Sequence, residues 1–134
     1  MALRDQLKVL VVDDMATSRG LILNALDSFG ITQVEYADNG LTAMHQLKAS
    51  PAHLVISDYN MPEMDGRELT EYIRTQSWQA EVPILMVTSE QNMGRLAAVE
   101  RAGVSAICDK PFEAGNIRRL ISDVPDLCLE TLGR

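Results

Sequence analysis

Basic residues, aromatic residues and cysteines are scarce in this sequence of 134 residues. The 12 lysines and arginines stand against 19 aspartates and glutamates, which gives a formal net charge of −7. Nucleic acids and anionic membranes are bound by clustered basic side chains, so this charge balance argues against both as partners. Aromatic residues make up 4% of the chain and hydrophobic residues 46%, so the predicted core is aliphatic.

The two cysteines, Cys108 and Cys128, lack the CxxC spacing and the paired histidine of a zinc site. Cys108 lies in an apolar run and is expected to be a small buried hydrophobe, whereas His45 and His53 are expected at the surface. The first residues mix acid and base before any apolar run, unlike a signal peptide. No apolar segment approaches the ~20 residues that span a bilayer, so the expected location is the cytoplasm.

Short apolar runs alternate with helical stripes along the chain. Residues 9–12 form a β-branched run typical of a strand buried on both faces. Comparable runs lie at 34–37, 54–56, 84–87 and 106–108. Apolar residues with the helical spacing i, i+3, i+4, i+7 lie between and after these runs, as at Ile22, Ala25, Leu26 and Phe29. Gly30 and Gly103 are expected to end helices, and Asn39-Gly40 is expected to form a turn.

This alternation of five strands and five helices predicts an α/β fold with a doubly wound, five-stranded parallel sheet. The flavodoxin-like strand order 2-1-3-4-5 suits five βα units. Residues 1–124 are expected to form this domain, and residues 125–134 a C-terminal tail that could add one helical turn. No output domain is expected.

Polar residues follow the predicted ends of four strands. Asp13-Asp14 follows the first strand, Ser57-Asp58 the third, Thr88-Ser89 the fourth and Asp109-Lys110-Pro111 the fifth. In open α/β sheets, ligands bind beyond the carboxyl ends of the strands at the point where the strand order reverses, here between strands one and three. We therefore expect these side chains to converge on one site.

The predicted site contains three carboxylates and neither histidine nor cysteine. Carboxylates held close together repel one another unless a cation lies between them. All-oxygen ligands favour a hard ion, so Mg²⁺ is expected, with Mn²⁺ as an alternative. Lys110 would pair with one carboxylate at rest and with a phosphoryl oxygen later, and Thr88 would donate its hydroxyl. With Asp58 as nucleophile, these groups make a phosphoryl-transfer site.

Each of these residues also has an ordinary explanation when taken alone. An acidic pair after a strand is commonly a solvated loop or a helix cap, and Asp58 could be a turn residue. Thr88 could cap a helix, with Gln91 at the capping-box spacing, and Lys110 could be a surface charge. Agreement at four strand ends, in the right order, favours the phosphoryl-transfer site.

Four segments resemble the signatures of a known family. VLVVDD (9–14), SDYNMPEMDG (57–66), VTSE (87–90) and DKPF (109–112) are similar to motifs of the receiver domains of two-component response regulators. The resemblance covers about residues 8–124. In length and in the third motif the chain resembles the stand-alone chemotaxis regulators of this family, those of the CheY type.

The resemblance implies a role for each matching residue. Asp58 would be the phosphoacceptor, and Mg²⁺ would be bound by the side chains of Asp14 and Asp58 and by the Asn60 carbonyl. Asp13 would act through a bound water. Thr88 would be the switch hydroxyl and Lys110 the ligand of a phosphoryl oxygen.

Further implied features concern tuning and switching. The Lys110-Pro111 peptide is expected to be cis, Ser89 to be the small residue after the switch, and Asn60 and Glu90 to tune dephosphorylation. Two positions depart from the pattern. Ile107 stands where many members have an aromatic switch residue, so coupling through a rotating ring is excluded. Asp109 occupies a usually apolar position, and strand alternation should point it away from the site.

The resemblance also implies partners. The phosphoryl donor would be a histidine kinase or a histidine phosphotransfer protein, and the target would be a protein bound through helix four, strand five and helix five. The chain would be a monomer, with dimerisation on phosphorylation left open, and would catalyse only its own phosphorylation and dephosphorylation. Chemotaxis or motility is the first hypothesis, and a phosphate sink or phosphorelay intermediate the alternative.

Two other classes of protein share parts of the pattern. A small metal-dependent phosphatase could use the same acids, but the sequence has no further acid–base motif and no segment to cover a substrate. A flavin-binding flavodoxin shares the topology, but Asp13-Asp14 would repel the phosphate that its first loop must hold.

Overall fold

Strands and helices alternate throughout the residues that the computed structural model describes, 7–76, 80–110 and 114–122. The strands are β1 (Lys8–Val12), β2 (Gln33–Ala37), β3 (Leu54–Asp58), β4 (Ile84–Thr88) and β5 (Ala106–Asp109). The helices are α1 (Ala16–Ser28), α2 (Gly40–Ala49), α3 (Gly66–Thr75), α4 (Met93–Ala102) and α5 (Ala114–Ser122). All strands pair in parallel, in the order β2-β1-β3-β4-β5. The predicted fold class is confirmed.

The central strands are buried on both faces, which explains their continuous apolar sequences. In β1, Val9 and Val11 pack into the cluster that includes residues of α1 and α5. Leu10 and Val12 pack into the opposite cluster, with residues of α2 and α3. A third apolar cluster, defined by Tyr59, Met86 and Val99 with the partly buried Val104 and Ile107, lies between the sheet and α4. The sheet is thus held rigidly from both sides, and its strand ends are fixed relative to one another.

Both helix ends predicted at glycines are confirmed. Gly30 directly follows the last residues of α1 with φ +83°, and Gly103 ends α4 with φ +108°. Both backbones lie in the left-handed region, which a glycine adopts without the steric penalty of a Cβ atom.

One local prediction is wrong, and one alternative explanation is excluded. Asn39-Gly40 does not form a separate turn, because Asn39 caps α2 by accepting a hydrogen bond from the Thr42 amide at 2.8 Å, and Gly40 begins the helix. A Cβ atom at Gly40 would lie 2.7 Å from the Met64 carbonyl oxygen. Glycine at this position therefore allows the start of α2 to approach the loop that contains Met64. The capping reading of Thr88 is also excluded, because Asn92 caps α4.

Cys108 is buried and His45 and His53 are exposed, as predicted. None of the helices in the described ranges is long and apolar enough to cross a membrane. The cis Lys110-Pro111 peptide, the tail at 125–134 and the second cysteine, Cys128, lie outside the described residues.

Candidate functional site

The acidic cluster forms where β1 and β3 end side by side. These strands pair in parallel with Val12 opposite Ser57. Asp13 follows β1 directly and Asp58 is the last residue of β3, so the pairing brings both to the same edge of the sheet. Carboxylate oxygens of Asp13, Asp14 and Asp58 all lie within 4.8 Å of one another. The predicted convergence of the three acids is confirmed.

Lys110 joins this cluster from the end of β5. Its ammonium Nζ lies 3.2 Å from Asp13 Oδ2 and 3.2 Å from Asp58 Oδ2. Its backbone N–H donates to the Thr88 carbonyl at 2.9 Å, which anchors the lysine beside β4. An ammonium has three donors, so it can bridge two carboxylates at once. We expected it to pair with one carboxylate, and the structure shows that it pairs with two.

Asp13 and Asp14 are neighbours in sequence but differ in environment. Asp13 is fully buried, and its Oδ1 accepts the Met15 amide at 2.9 Å while its Oδ2 faces Lys110. Asp14 is exposed. Asp14 is therefore better placed than Asp13 to give a carboxylate oxygen to an ion that arrives from solvent.

Asp58 is 5% exposed and is held at both of its oxygens. Its Oδ1 accepts the Tyr59 amide at 2.7 Å, and its Oδ2 faces Lys110. Burial raises the pKa of Asp58 above its ordinary value, the Lys110 ammonium partly offsets this, and the nearby Asp13 carboxylate adds to it. The ionised carboxylates therefore carry more negative charge than the Lys110 ammonium balances. A hard cation bound among them would reduce their mutual repulsion.

Asp58→Asn is expected to stabilise the protein by about 1 kcal/mol at neutral pH without a divalent ion. The pKa of Asp58 is raised in the folded state, so ionisation costs more there than in the unfolded chain. The contribution of Asp58 to the free energy of unfolding therefore falls as the pH rises through its folded-state pKa. The side-chain amide of Asp58→Asn does not ionise, so the variant avoids this loss of stability. Urea unfolding in the presence of a chelator measures the difference, which should shrink on acidification. Asp38→Asn, at an exposed position, is the control. Equal or lower stability of Asp58→Asn at neutral pH would contradict the expectation.

Thr88 is fully buried at the end of β4. Its Oγ1 accepts the Glu90 amide at 3.0 Å. The hydroxyl proton is thus available for donation to another oxygen. A cavity of about 340 Å³ opens beside Thr88, and it is lined by Ser89, Glu90, Gln91, Leu96, Asp109 and Lys110.

Three further predicted positions lie around this centre. Asn60 is exposed, two residues after Asp58. Ile107 is partly buried and packs in the third apolar cluster. Asp109 is exposed and is not part of the acidic cluster that the described residues form, but together with Lys110 it lines the cavity beside Thr88. Its orientation away from the site stays a prediction.

Two features that were not predicted from the sequence hold α3 against the site. A Cβ atom at Gly66 would lie 2.5 Å from the Asp58 carbonyl oxygen, so only glycine allows α3 to begin there. Asp65 and Glu68 form a reciprocal capping box at this helix start. The spacing of Asp65 and Glu68 is a local signal that could have revealed the cap, whereas the contact of Gly66 with β3 depends on the tertiary structure.

The strand order and the acidic cluster at the switch point define a doubly wound α/β domain with three carboxylates that could hold a metal ion. The family model of the response regulator receiver domain matches residues 9–122. The chain is 34% identical over 122 residues to the chemotaxis protein CheY-3 of Vibrio cholerae, covering 91% of this chain and 94% of that protein. It is 34% identical over 118 residues to the chemotaxis protein CheY of Pseudomonas aeruginosa, covering 88% and 95%.

A solved structure agrees with these sequence relatives. The chemotaxis protein CheY4 of Vibrio cholerae superposes with a TM-score of 0.81 at 31% identity, covering 88% of this chain and 98% of that one. The chain belongs to the response regulator receiver domain family and is homologous to CheY.

Proposed function

We propose that this receiver domain accepts a phosphoryl group on Asp58 from a histidine kinase or a histidine phosphotransfer protein. Phosphorylation then changes its affinity for a protein target that acts in chemotaxis or motility. The observation that carries the proposal is the position of Lys110, whose ammonium lies 3.2 Å from both Asp13 and Asp58 beside the exposed Asp14. The names of the two relatives described above, both chemotaxis proteins, support the pathway.

The chemistry is a phosphoryl transfer to a carboxylate. An oxygen of Asp58 forms a bond to phosphorus while the bond between phosphorus and the donor's imidazole nitrogen breaks, and the electron pair stays on the nitrogen. Lys110 moves its charge from the Asp58 carboxylate to a phosphoryl oxygen, and Thr88 donates its hydroxyl to another. The protein's own catalysis is limited to this transfer and to the hydrolysis of the resulting aspartyl phosphate, in which water attacks phosphorus and the bond to the Asp58 oxygen breaks.

Asp14 and Asp58 would hold Mg²⁺ by their side chains, with the Asn60 carbonyl, and Asp13 would act through a water. The donor set fits this ion, because it consists of oxygen atoms. When bound, the ion would balance the charge of the carboxylates and of the incoming phosphoryl oxygens.

The output surface is expected on α4, β5 and α5. Thr88 ends β4 and precedes the loop to α4, and Lys110 directly follows β5 and precedes α5 in the chain. Movement of these two residues toward a phosphoryl group would therefore displace the elements that they adjoin. Beryllofluoride, which mimics the phosphoryl group, should shift backbone amide signals mainly in α4, β5 and α5 when Mg²⁺ is present. Asp58→Asn should show none of these shifts. Shifts concentrated in α2 would place the surface elsewhere.

A further inference from the structure

Glu90 connects the end of β4 to the start of α4. Its backbone N–H donates to Thr88 Oγ1 at 3.0 Å. One carboxylate oxygen, Oε2, accepts the amides of Gln91 at 3.1 Å and Asn92 at 3.2 Å. The other, Oε1, accepts the guanidinium of Arg95 at 2.9 Å. A single residue thus contacts the hydroxyl of Thr88 and the first turn of α4.

Arg95 is held to the same helix start. Its backbone amide donates to Asn92 Oδ1 at 3.0 Å, within the cap of α4. The Glu90 side chain is 12% exposed, whereas that of Arg95 is 60% exposed, so the arginine covers the carboxylate from the solvent side. The hydrogen bonds from Arg95 and from the Asn92 amide hold the pKa of Glu90 below its ordinary value. The carboxylate also lies at the helix N-terminus, where negative charge is favourable.

We infer that Arg95 is a positioning residue that locks the loop between β4 and α4 in its resting conformation through Glu90. The inference rests on the proposed function, in which Thr88 moves toward a phosphoryl group on Asp58. That movement takes the Thr88 oxygen away from the Glu90 amide. The Glu90–Arg95 pair opposes a matching movement of the loop, because it ties the Glu90 side chain to the first turn of α4. A contact that is made only in the resting state stabilises that state. It therefore lowers the protein's affinity for a ligand that binds the activated state, such as beryllofluoride. Arg95 therefore limits how readily this receiver switches.

The test is the affinity of the magnesium-loaded full chain for beryllofluoride. Arg95→Gln removes the positive charge and keeps a good helix former. It should raise the apparent affinity about two- to fivefold, the range of an exposed ion pair. Glu90→Gln should raise the affinity for beryllofluoride by a similar factor. The double variant should bind no more tightly than either single variant. Arg101→Gln, which removes an exposed positive charge from the same helix, should bind like the wild type.

A second readout separates positioning from general stability. Without beryllofluoride, the NMR signal of the Glu90 backbone amide in Arg95→Gln should move toward its position in the wild-type complex with beryllofluoride. Raised salt weakens the ion pair, so it should move the same amide signal of the free wild type in the same direction. If the wild type binds beryllofluoride and Arg95→Gln binds no more tightly than Arg101→Gln, Arg95 has no positioning role, and the proposed function stands. If the wild type does not bind beryllofluoride, or if Asp58→Asn binds it as tightly as the wild type, the proposed function and the inference both fail.

Discussion

Asp58→Asn is expected to abolish phosphorylation by acetyl phosphate while leaving the fold intact. The amide has nearly the same shape as the carboxylate, but it lacks the anionic oxygen that attacks phosphorus. Asp58 Oδ2 also faces Lys110, so the substitution removes one of the two ion pairs of the lysine and leaves the one with Asp13. Intact-mass measurement after incubation with acetyl phosphate and Mg²⁺ checks this.

Asp38→Asn is the matched control for Asp58→Asn, because it makes the same chemical change at an exposed aspartate outside the acidic cluster. It should incorporate phosphate like the wild type. Undiminished incorporation in Asp58→Asn would show that the acceptor is another residue.

Asp14→Ala is expected to weaken Mg²⁺ binding by at least about tenfold, or ~1.4 kcal/mol. Asp13 and Asp58 already share the Lys110 ammonium, and the Met15 and Tyr59 amides occupy their other oxygens. Asp14 is exposed and is the carboxylate best placed to take a share of the ion's charge.

Titration with Mg²⁺ measures this loss, with the Tyr59 amide signal as the reporter. This amide donates to Asp58, so it responds when an ion reaches the cluster. Asp38→Ala is the control for a lost surface carboxylate. Equal Mg²⁺ responses in the wild type and in Asp14→Ala would remove Asp14 from the proposed ligands.

The topology and the acidic cluster could be predicted from the sequence because both depend on patterns that short segments display. Strands buried on both faces have continuous apolar runs such as residues 9–12. The carboxyl ends of parallel strands lie at one edge of the sheet, so the residues after each run must meet there. The convergence of Asp13, Asp58 and Lys110 therefore follows from their positions at the ends of these strands.

The details that could not be predicted depend on the conformation of loops and on contacts between distant segments. The cap of α4 lies at Asn92 and not at Thr88, because β4 extends through Thr88 and the loop that follows sets the helix start. Position 40 requires glycine because its backbone closely approaches Met64, which lies in another loop. The pairing of Glu90 with Arg95 likewise follows from how the loop folds onto α4 and has no signature at that spacing.

The central claim is that Asp58 carries the phosphoryl group, and chemical trapping tests it most directly. Borohydride reduces an aspartyl phosphate to homoserine, and peptide mapping by mass spectrometry then identifies the modified residue. After phosphorylation with acetyl phosphate, homoserine is expected at position 58 in the presence of Mg²⁺ and is expected to disappear when a chelator removes the ion. Homoserine at another aspartate, or the same yield at position 58 with the chelator, would contradict the account.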